Sequence, residues 1–223
     1  PKNKVLFTSC GFYPLAETES VLMLENKKNG LDNFYKKFLA GTEDSDNIGC
    51  IVMNCNPFTK GHLALITYAA RACDLLHIFV VEENRSQFPF ADRLRLVREG
   101  TDHLANVIVH PSGPYMISNA TFPTYFLKEG EDAAKIQSEL DITQFASRIA
   151  PLLHIKKRFA GEEPFDPVTR NYNEAMIRIL PRYGISFIKI DRITTEGPDG
   201  KPEVISASRV RKLLTEHGVT DEV

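Results

Sequence analysis

Neither sign of charge is in excess in this sequence: 27 lysines and arginines stand against 29 aspartates and glutamates, for a formal net charge of −2. That balance gives the chain as a whole no pull towards nucleic acid or an anionic membrane surface. No apolar run approaches the roughly 20 residues that a membrane span needs, and no charged-apolar-small signal pattern opens the chain. The expected location is therefore the cytoplasm, with no nucleic-acid or membrane partner. Cysteine is scarce. Cys10, Cys50, Cys55 and Cys73 form no CxxC pair and have no nearby histidine at zinc spacing, so reduced, mostly buried thiols are expected and no protein-held metal. The first strand-to-helix turn also lacks GxGxxG, which counts against a dinucleotide-dependent dehydrogenase.

What is present is a core of ordinary size: 43% of the 223 residues are hydrophobic, enough for one domain plus an appendage. Two β-like runs, 5–8 and 21–24, precede a helical pattern at Leu31, Phe34, Tyr35, Phe38 and Leu39. The polar, acidic stretch 41–47 reads as a linker. Residues 1–47 are thus one unit and 48–223 another. In the second unit strands and helices alternate: 48–54, 75–81, 107–109, 155–160 and 185–190 are predicted strands, with helices between them. Helices are also expected at about 131–139 and 142–150, the second opening at Asp141. The sum is an α/β fold, a doubly wound parallel sheet of five strands. Ligands of such sheets bind outside the carboxyl ends of the strands, where the winding reverses.

The stretch that organises the rest is 51–62, an apolar strand broken at Asn56-Pro57 and followed by a helix opening near Gly61-His62. Amides at a helix start have no partner within the helix and favour an anion. A lysine and a histidine placed there work against the macrodipole unless something negative is bound. The last helix opens on Ile205-Ser206-Ala207-Ser208-Arg209-Val210-Arg211-Lys212, hydroxyls and cations again at a helix start. Capping alone would explain the two serines. Amides, hydroxyls and guanidinium groups together suit a polyphosphate leaving group.

Thr59-Lys60-Gly61-His62 resembles the (H/T)xGH motif of the nucleotidyltransferase superfamily, and Ile205 to Arg211 resembles its ISSTxxR signature. The two lie about 145 residues apart. Thr59 stands where many relatives have a first histidine, and Ala207-Ser208 replaces Ser-Thr. Within the superfamily the chain is most similar to the citrate lyase ligases, on 52–59, on 115–123 and on Gly161-Glu162-Glu163-Pro164 with Val168-Thr169 and Tyr172-Asn173. That family carries an acetyltransferase-like domain ahead of its nucleotidyltransferase domain, and 1–47 resembles the end of such a domain with its linker, as in a truncated chain.

The resemblance implies a two-step ligase. ATP and acetate give acetyl-adenylate and pyrophosphate, and the thiol-bearing prosthetic arm of the citrate lyase acyl carrier subunit then takes the acetyl group. It assigns His62, Thr59 and Arg211 to catalysis. Asn56, Pro57, Phe58, Gly161, Glu162, Glu163, Ser206 and Ser208 bind the nucleotide, and Tyr115, Ser118 and Phe122 the substrate. Magnesium is expected mainly on the triphosphate. His110, at a strand end, is considered as a thiol base, although such a histidine is more often a hydrogen-bonded wall residue. The run 156–158 is more simply a solvated strand edge than a carrier dock, and Arg93 is either near the nucleotide or on the surface. The runner-up activity is an adenylyltransferase acting on a phosphate ester such as phosphopantetheine or nicotinate mononucleotide. It would share both motifs and differ in its acceptor.

Overall fold

The computed structural model describes residues 3–39, 42, 45–83, 86–117, 132–162, 167–191, 194–196 and 202–218. The chain opens with helix α1 (Lys4–Ser9), an antiparallel hairpin of β1 (Tyr13–Glu17) and β2 (Leu22–Glu25), and helix α2 (Gly30–Tyr35), which tightens to a 3-10 turn at Lys36–Phe38. Then come β3 (Ile48–Met53), α3 (Lys60–Arg71), β4 (Leu75–Val80), α4 (Phe90–Thr101), β5 (Val107–Pro111) and a 3-10 turn at Gly113–Tyr115. Helix α5 (Ala133–Gln144) passes through a π-helical stretch, Phe145–Ile149, into α6 (Ala150–Leu152). After β6 (Ile155–Gly161) follow α7 (Pro167–Ile179) and β7 (Ser186–Ile190). A small antiparallel pair, β8 (Thr194–Glu196) and β9 (Pro202–Val204), precedes α8 (Ala207–His217).

Five strands pair in parallel in the order β5-β4-β3-β6-β7. The winding starts at β3, runs outward through β4 and β5, then returns to β6 on the other side, so the reversal lies between β3 and β6. Both faces of the sheet are covered, which is why β3 and β4 consist almost wholly of buried apolar residues. Successive residues of β3 divide between the faces. Ile51 and Met53 pack with Ile66, Ala69 and Ala70 of α3 and Val97 of α4, whereas Ile48 and Cys50 pack with Tyr35, Phe79, Phe145 and Met176. Each fully buried side chain of this size contributes on the order of 1.5–3 kcal/mol. Gly49 is required by this packing, because a Cβ there would lie 2.8 Å from the Phe159 ring and 2.9 Å from Cys73 Sγ.

Two expectations fail. Residues 5–8 form not a strand but helix α1, whose Val5 and Leu6 are 80% and 60% exposed. β propensity decides little where no neighbouring strand is available to pair with. Asp141 opens no helix: α5 is capped by Asp132, whose side chain accepts the Lys135 amide at 3.1 Å, and runs on through Asp141. Asp141 is buried and accepts the Ile117 amide at 2.8 Å and the Tyr172 hydroxyl. Among the described residues, no helix is long and apolar enough to cross a membrane.

Candidate active site

β3 delivers the chain to the crevice. Beyond Met53, Cys55 adopts a φ of 50°, the Asn56–Pro57 peptide is cis, and Thr59 caps α3. Thr59 and His62 close a reciprocal box. Thr59 Oγ1 accepts the His62 amide at 3.4 Å, and His62 Nδ1 accepts the Thr59 amide at 3.0 Å while lying 2.9 Å from Thr59 Oγ1. A backbone N–H can only donate, so in the neutral imidazole Nδ1 is the unprotonated nitrogen and Nε2 carries the hydrogen. The box therefore sets both the tautomer and the ring orientation. Phe58 supports the imidazole from one side, with ring centroids 6.0 Å apart and planes 17° from parallel. Phe58 in turn fits over Gly100 of α4, where a Cβ would come within 2.4 Å of Phe58 Cε1.

Helix α8 forms the facing wall. Ser206 caps it, its Oγ accepting the Arg209 amide at 3.2 Å. Arg211 Nη1 donates to the Asn56 carbonyl at 2.5 Å, across 155 residues of chain, and Nη2 donates to Ser208 Oγ at 3.0 Å. A Cβ on Gly61 would lie 3.4 Å from the Ile205 carbonyl oxygen, so the starts of α3 and α8 abut. Neither helix has an acidic side chain in its first turn. Lys60 and His62 on one, and Arg209, Arg211 and Lys212 on the other, add cationic side chains and N–H donors to ends that already carry the positive poles of their helices. Both helix starts therefore favour an anion over a cation.

The other assigned residues are more dispersed. Gly161 ends β6, next to β3, and its carbonyl accepts Asn173 Nδ2 at 3.0 Å. The Glu162 amide donates to the Ile190 carbonyl at 2.7 Å, and its exposed carboxylate pairs with Lys189 at 2.8 Å. Tyr115 is tied to the β2–α2 corner: its hydroxyl donates to Glu25 at 3.1 Å and its ring packs on Phe34 and Tyr35. Burial and the Glu25 carboxylate push that phenol up to about 12. Glu163, Ser118 and Phe122 lie outside the described residues.

His110 is no wall of the crevice. It is buried, its Nε2 lies 2.9 Å from His77 Nδ1, and its ring is 4.1 Å from that of Phe38. Burial first, then the neighbouring His77, hold it at about 3, and burial holds His77 at about 4. In the run 156–158, Lys156 is exposed, but Lys157 donates to the Ala72 carbonyl at 2.8 Å and Arg158 is buried. Among the described residues, no three His, Cys, Asp or Glu side chains converge as a metal site would require.

Arg93 is not on the surface; it is fully buried. It donates to the carbonyls of Asn54 (2.6 Å), Val81 (3.0 Å), Glu83 (2.6 Å) and Phe88 (3.1 Å), and to Asn54 Oδ1 at 2.7 Å. It thereby ties the ends of β3 and β4 to the loop that enters α4. The available signal was helical spacing, since Arg93, Val97 and Thr101 share the buried stripe of α4.

Comparison with known proteins concerns the chain as a whole. The family model for the citrate lyase ligase C-terminal domain matches residues 48–222. A [citrate [pro-3S]-lyase] ligase from Klebsiella pneumoniae is 40% identical over 218 residues, covering 96% of the chain, and the chain spans 62% of that relative's length. A phosphopantetheine adenylyltransferase from Streptococcus gordonii is 32% identical over 111 residues, 48% of the chain and 68% of that protein. Among solved structures, a pantothenate synthetase from Thermus thermophilus superposes with a TM-score of 0.50 at 15% identity, over 83% of the chain and 66% of that structure. At that identity the likeness is one of fold alone.

Proposed function

The chain belongs to the citrate lyase ligase family, and from that premise we propose that it is the nucleotide-handling part of a cytoplasmic, ATP-dependent acid–thiol ligase that uses acetate and acetylates the thiol of the citrate lyase acyl carrier's prosthetic arm. In the first step a carboxylate oxygen of acetate bonds to the α-phosphorus of ATP. The bond from that phosphorus to the bridging oxygen breaks, and pyrophosphate leaves with the electron pair. Acetate is already ionised at neutral pH, as carboxyls with pKa of about 4 are, so this step needs no base. It needs alignment and neutralisation of charge on the phosphoryl oxygens.

His62 is assigned to the α-phosphate, through the N–H that the Thr59 box leaves on Nε2. Thr59 acts by holding that box, and the amides of Asn56 and Phe58 position the phosphates; Pro57 has no amide hydrogen to give. Ser206, Ser208 and Arg211 are assigned to the β- and γ-phosphates, where charge grows as pyrophosphate departs. Gly161, Glu162 and Glu163 are assigned to ribose and adenine, and Tyr115, Ser118 and Phe122 to the acid and the arm. Magnesium would neutralise charge on the triphosphate. The described α3–α8 junction brings hydroxyls, an imidazole and a guanidinium rather than a carboxylate cluster, so that ion would sit mainly on phosphate oxygens and water. In the second step the carrier sulfur bonds to the acetyl carbon, the carbon–oxygen bond to the adenylate breaks, and AMP leaves with the pair while the thiol proton passes to solvent.

The observation that carries this reading is the meeting of the α3 and α8 starts through Arg211 and Asn56. The adenylyltransferase reading is supported by likeness over 48% of the chain, the ligase reading by likeness over 96%. Pyrophosphate release from ATP separates them. The ligase requires acetate, whereas release indifferent to acetate but stimulated by a phosphate ester would establish the adenylyltransferase. In the same assay His62→Ala should lower kcat by about 10²–10³-fold, as loss of a transition-state donor does, and leave the KM for ATP within a few-fold. Equal losses in both would reduce His62 to a binding residue.

A further inference from the structure

On the face of the sheet turned away from α3, a buried polar cluster lacks partners. Arg158, in the middle of β6, pairs in register with Cys50 of β3 and is 4% exposed. Among the described residues its guanidinium has one hydrogen-bond partner, Cys50 Sγ at 3.6 Å; Cζ lies 4.5 Å from the Phe145 ring centroid, and Nε has no partner at all. The carboxylate coupled to this charge is Asp141. Both of its oxygens are engaged elsewhere, Oδ1 by the Ile117 amide and Oδ2 by the Tyr172 hydroxyl.

Gln144 stands one helical turn beyond Asp141 and next to Phe145, so these three positions share the face of α5 turned towards Arg158. It is fully buried, and neither its Oε1 nor its Nε2 has a partner. The helix widens to π form at the next residue, a departure from α geometry that often accompanies a functional site. Buried polar groups are ordinarily satisfied. A guanidinium with no carboxylate hydrogen-bonded to it, and a primary amide on the facing helix with neither end partnered, are incomplete in two independent ways.

The guanidinium fork matches one chemistry best, the two oxygens of a carboxylate. We propose that Arg158 and Gln144 form a binding site for a small carboxylate, with the acid's oxygens on the guanidinium and on the Gln144 amide N–H and its short carbon tail against Phe145 and Cys50. Arg158 is 4% exposed and Gln144 0%, so the proposed ligand is restricted to the smallest acids, such as formate, acetate or propionate. Val52 and Ala160, two residues nearer the carboxyl ends of β3 and β6 and on the same face, are partly exposed, and lie about 7 Å towards the crevice.

The inference stands apart from the ligase reading, because binding can be read without ATP and without turnover. Cys50 touches Arg158, whereas buried Cys55 and Cys73 lie in the core on the opposite face. Thiol alkylation of the 223-residue chain, mapped by peptide mass spectrometry, therefore reports the site locally. At sodium acetate ten times its half-saturating concentration, with chloride at matched ionic strength as control, Cys50 labelling should slow by about tenfold, the fraction left unliganded, and Cys55 and Cys73 should change by less than about twofold. Formate should protect likewise. Arg158→Met and, independently, Gln144→Leu should abolish the protection of Cys50, and Gln144→Leu, which removes an unpartnered buried amide, should not lower the thermal midpoint. Equal protection of all three cysteines, no protection, or protection that survives in either variant would overturn the proposal.

Discussion

Acid should loosen this fold through a single pair of rings. His77 on β4 and His110 on β5 meet at 2.9 Å, enclosed by Phe38 and Phe79, with no carboxylate among their closest neighbours. One hydrogen serves the contact when both are neutral. Protonating both would set two N–H groups and two charges against each other, in a field to which Lys37 and Arg98 already contribute positive potential. Burial accordingly holds His77 at about 4 and His110 at about 3, against about 6.5 in an unfolded chain.

The sign follows from where protons bind first. Below pH 6.5 the unfolded chain takes up protons that the folded one refuses, so stability is complete above that pH and falls as pH drops towards the folded values. Each histidine costs up to about 1.4 kcal/mol per pH unit in that window, so the pair removes about 2.5–3 kcal/mol between pH 7.5 and 5.5. That is a sizeable share of the roughly 5–15 kcal/mol of an ordinary domain. Other histidines also titrate over this interval, so the effect of the pair is read as the difference between the parent and a variant in urea unfolding at the two pH values. His110→Phe keeps a ring against Phe38 and should cut the loss to about half. A variant that loses as much as the parent, or a parent that loses nothing, would refute the reasoning.

Arg93→Met should destabilise the chain by at least about 3 kcal/mol in urea unfolding, because the lost charge-assisted bonds leave buried carbonyls at the ends of two strands without donors. Arg93→Lys should not restore it, since an ammonium cannot span the same carbonyls as a guanidinium fork; full rescue by lysine would count against that geometry. Gly100→Ala should change stability by no more than about 1 kcal/mol, helix propensity gaining roughly what crowding loses. The new methyl displaces Phe58, so the KM for ATP should rise several-fold, and an unaltered KM would detach Phe58 from the site.

How legible all this was depends on whether a feature is carried by side-chain pattern or by long-range contact. The five parallel strands were readable because burial on both faces imposes unbroken apolar runs, and the capping residue Ser206 because a helix start needs an oxygen at one position; the cap at Thr59 was not read as one, because the helix was expected to open at Gly61-His62. Val5 to Thr8 misled, since β-branched residues prefer strands only where a strand is there to pair. Asp141 misled for the related reason that a carboxylate between two helical patterns looks like a cap. Its actual partners, the Ile117 amide and the Tyr172 hydroxyl, come from segments no local window contains. Arg158 was hidden within a run of three cations, although strand alternation alone separates Lys157 from its neighbours.

The two motifs mark only the ends of the apparatus that joins them. Arg211 donates to the carbonyl of Asn56, and Asn56 Oδ1 accepts the Phe88 amide at 3.0 Å. The Phe88 carbonyl accepts Arg93 Nε, and Arg93 holds Asn54 and Val81 at the ends of β3 and β4. The last helix is thus connected to the sheet through the same loop that bears His62's supporting turn. Most of the links are main-chain groups, which carry no residue identity and so leave no motif. For this reason Asn56 is the residue whose placement matters most to the crevice: its carbonyl and its side chain face two different elements, and replacement by aspartate would keep the acceptor for Phe88 while adding a negative charge beside the site meant for phosphates. Asn56→Asp should therefore preserve the urea midpoint, because the hydrogen bond survives, yet weaken any polyanion at the α3–α8 junction, because like charges at a distance of a few ångströms repel. Calorimetric titration with ATP should show a Kd raised several-fold, and an unchanged Kd would place the phosphates elsewhere.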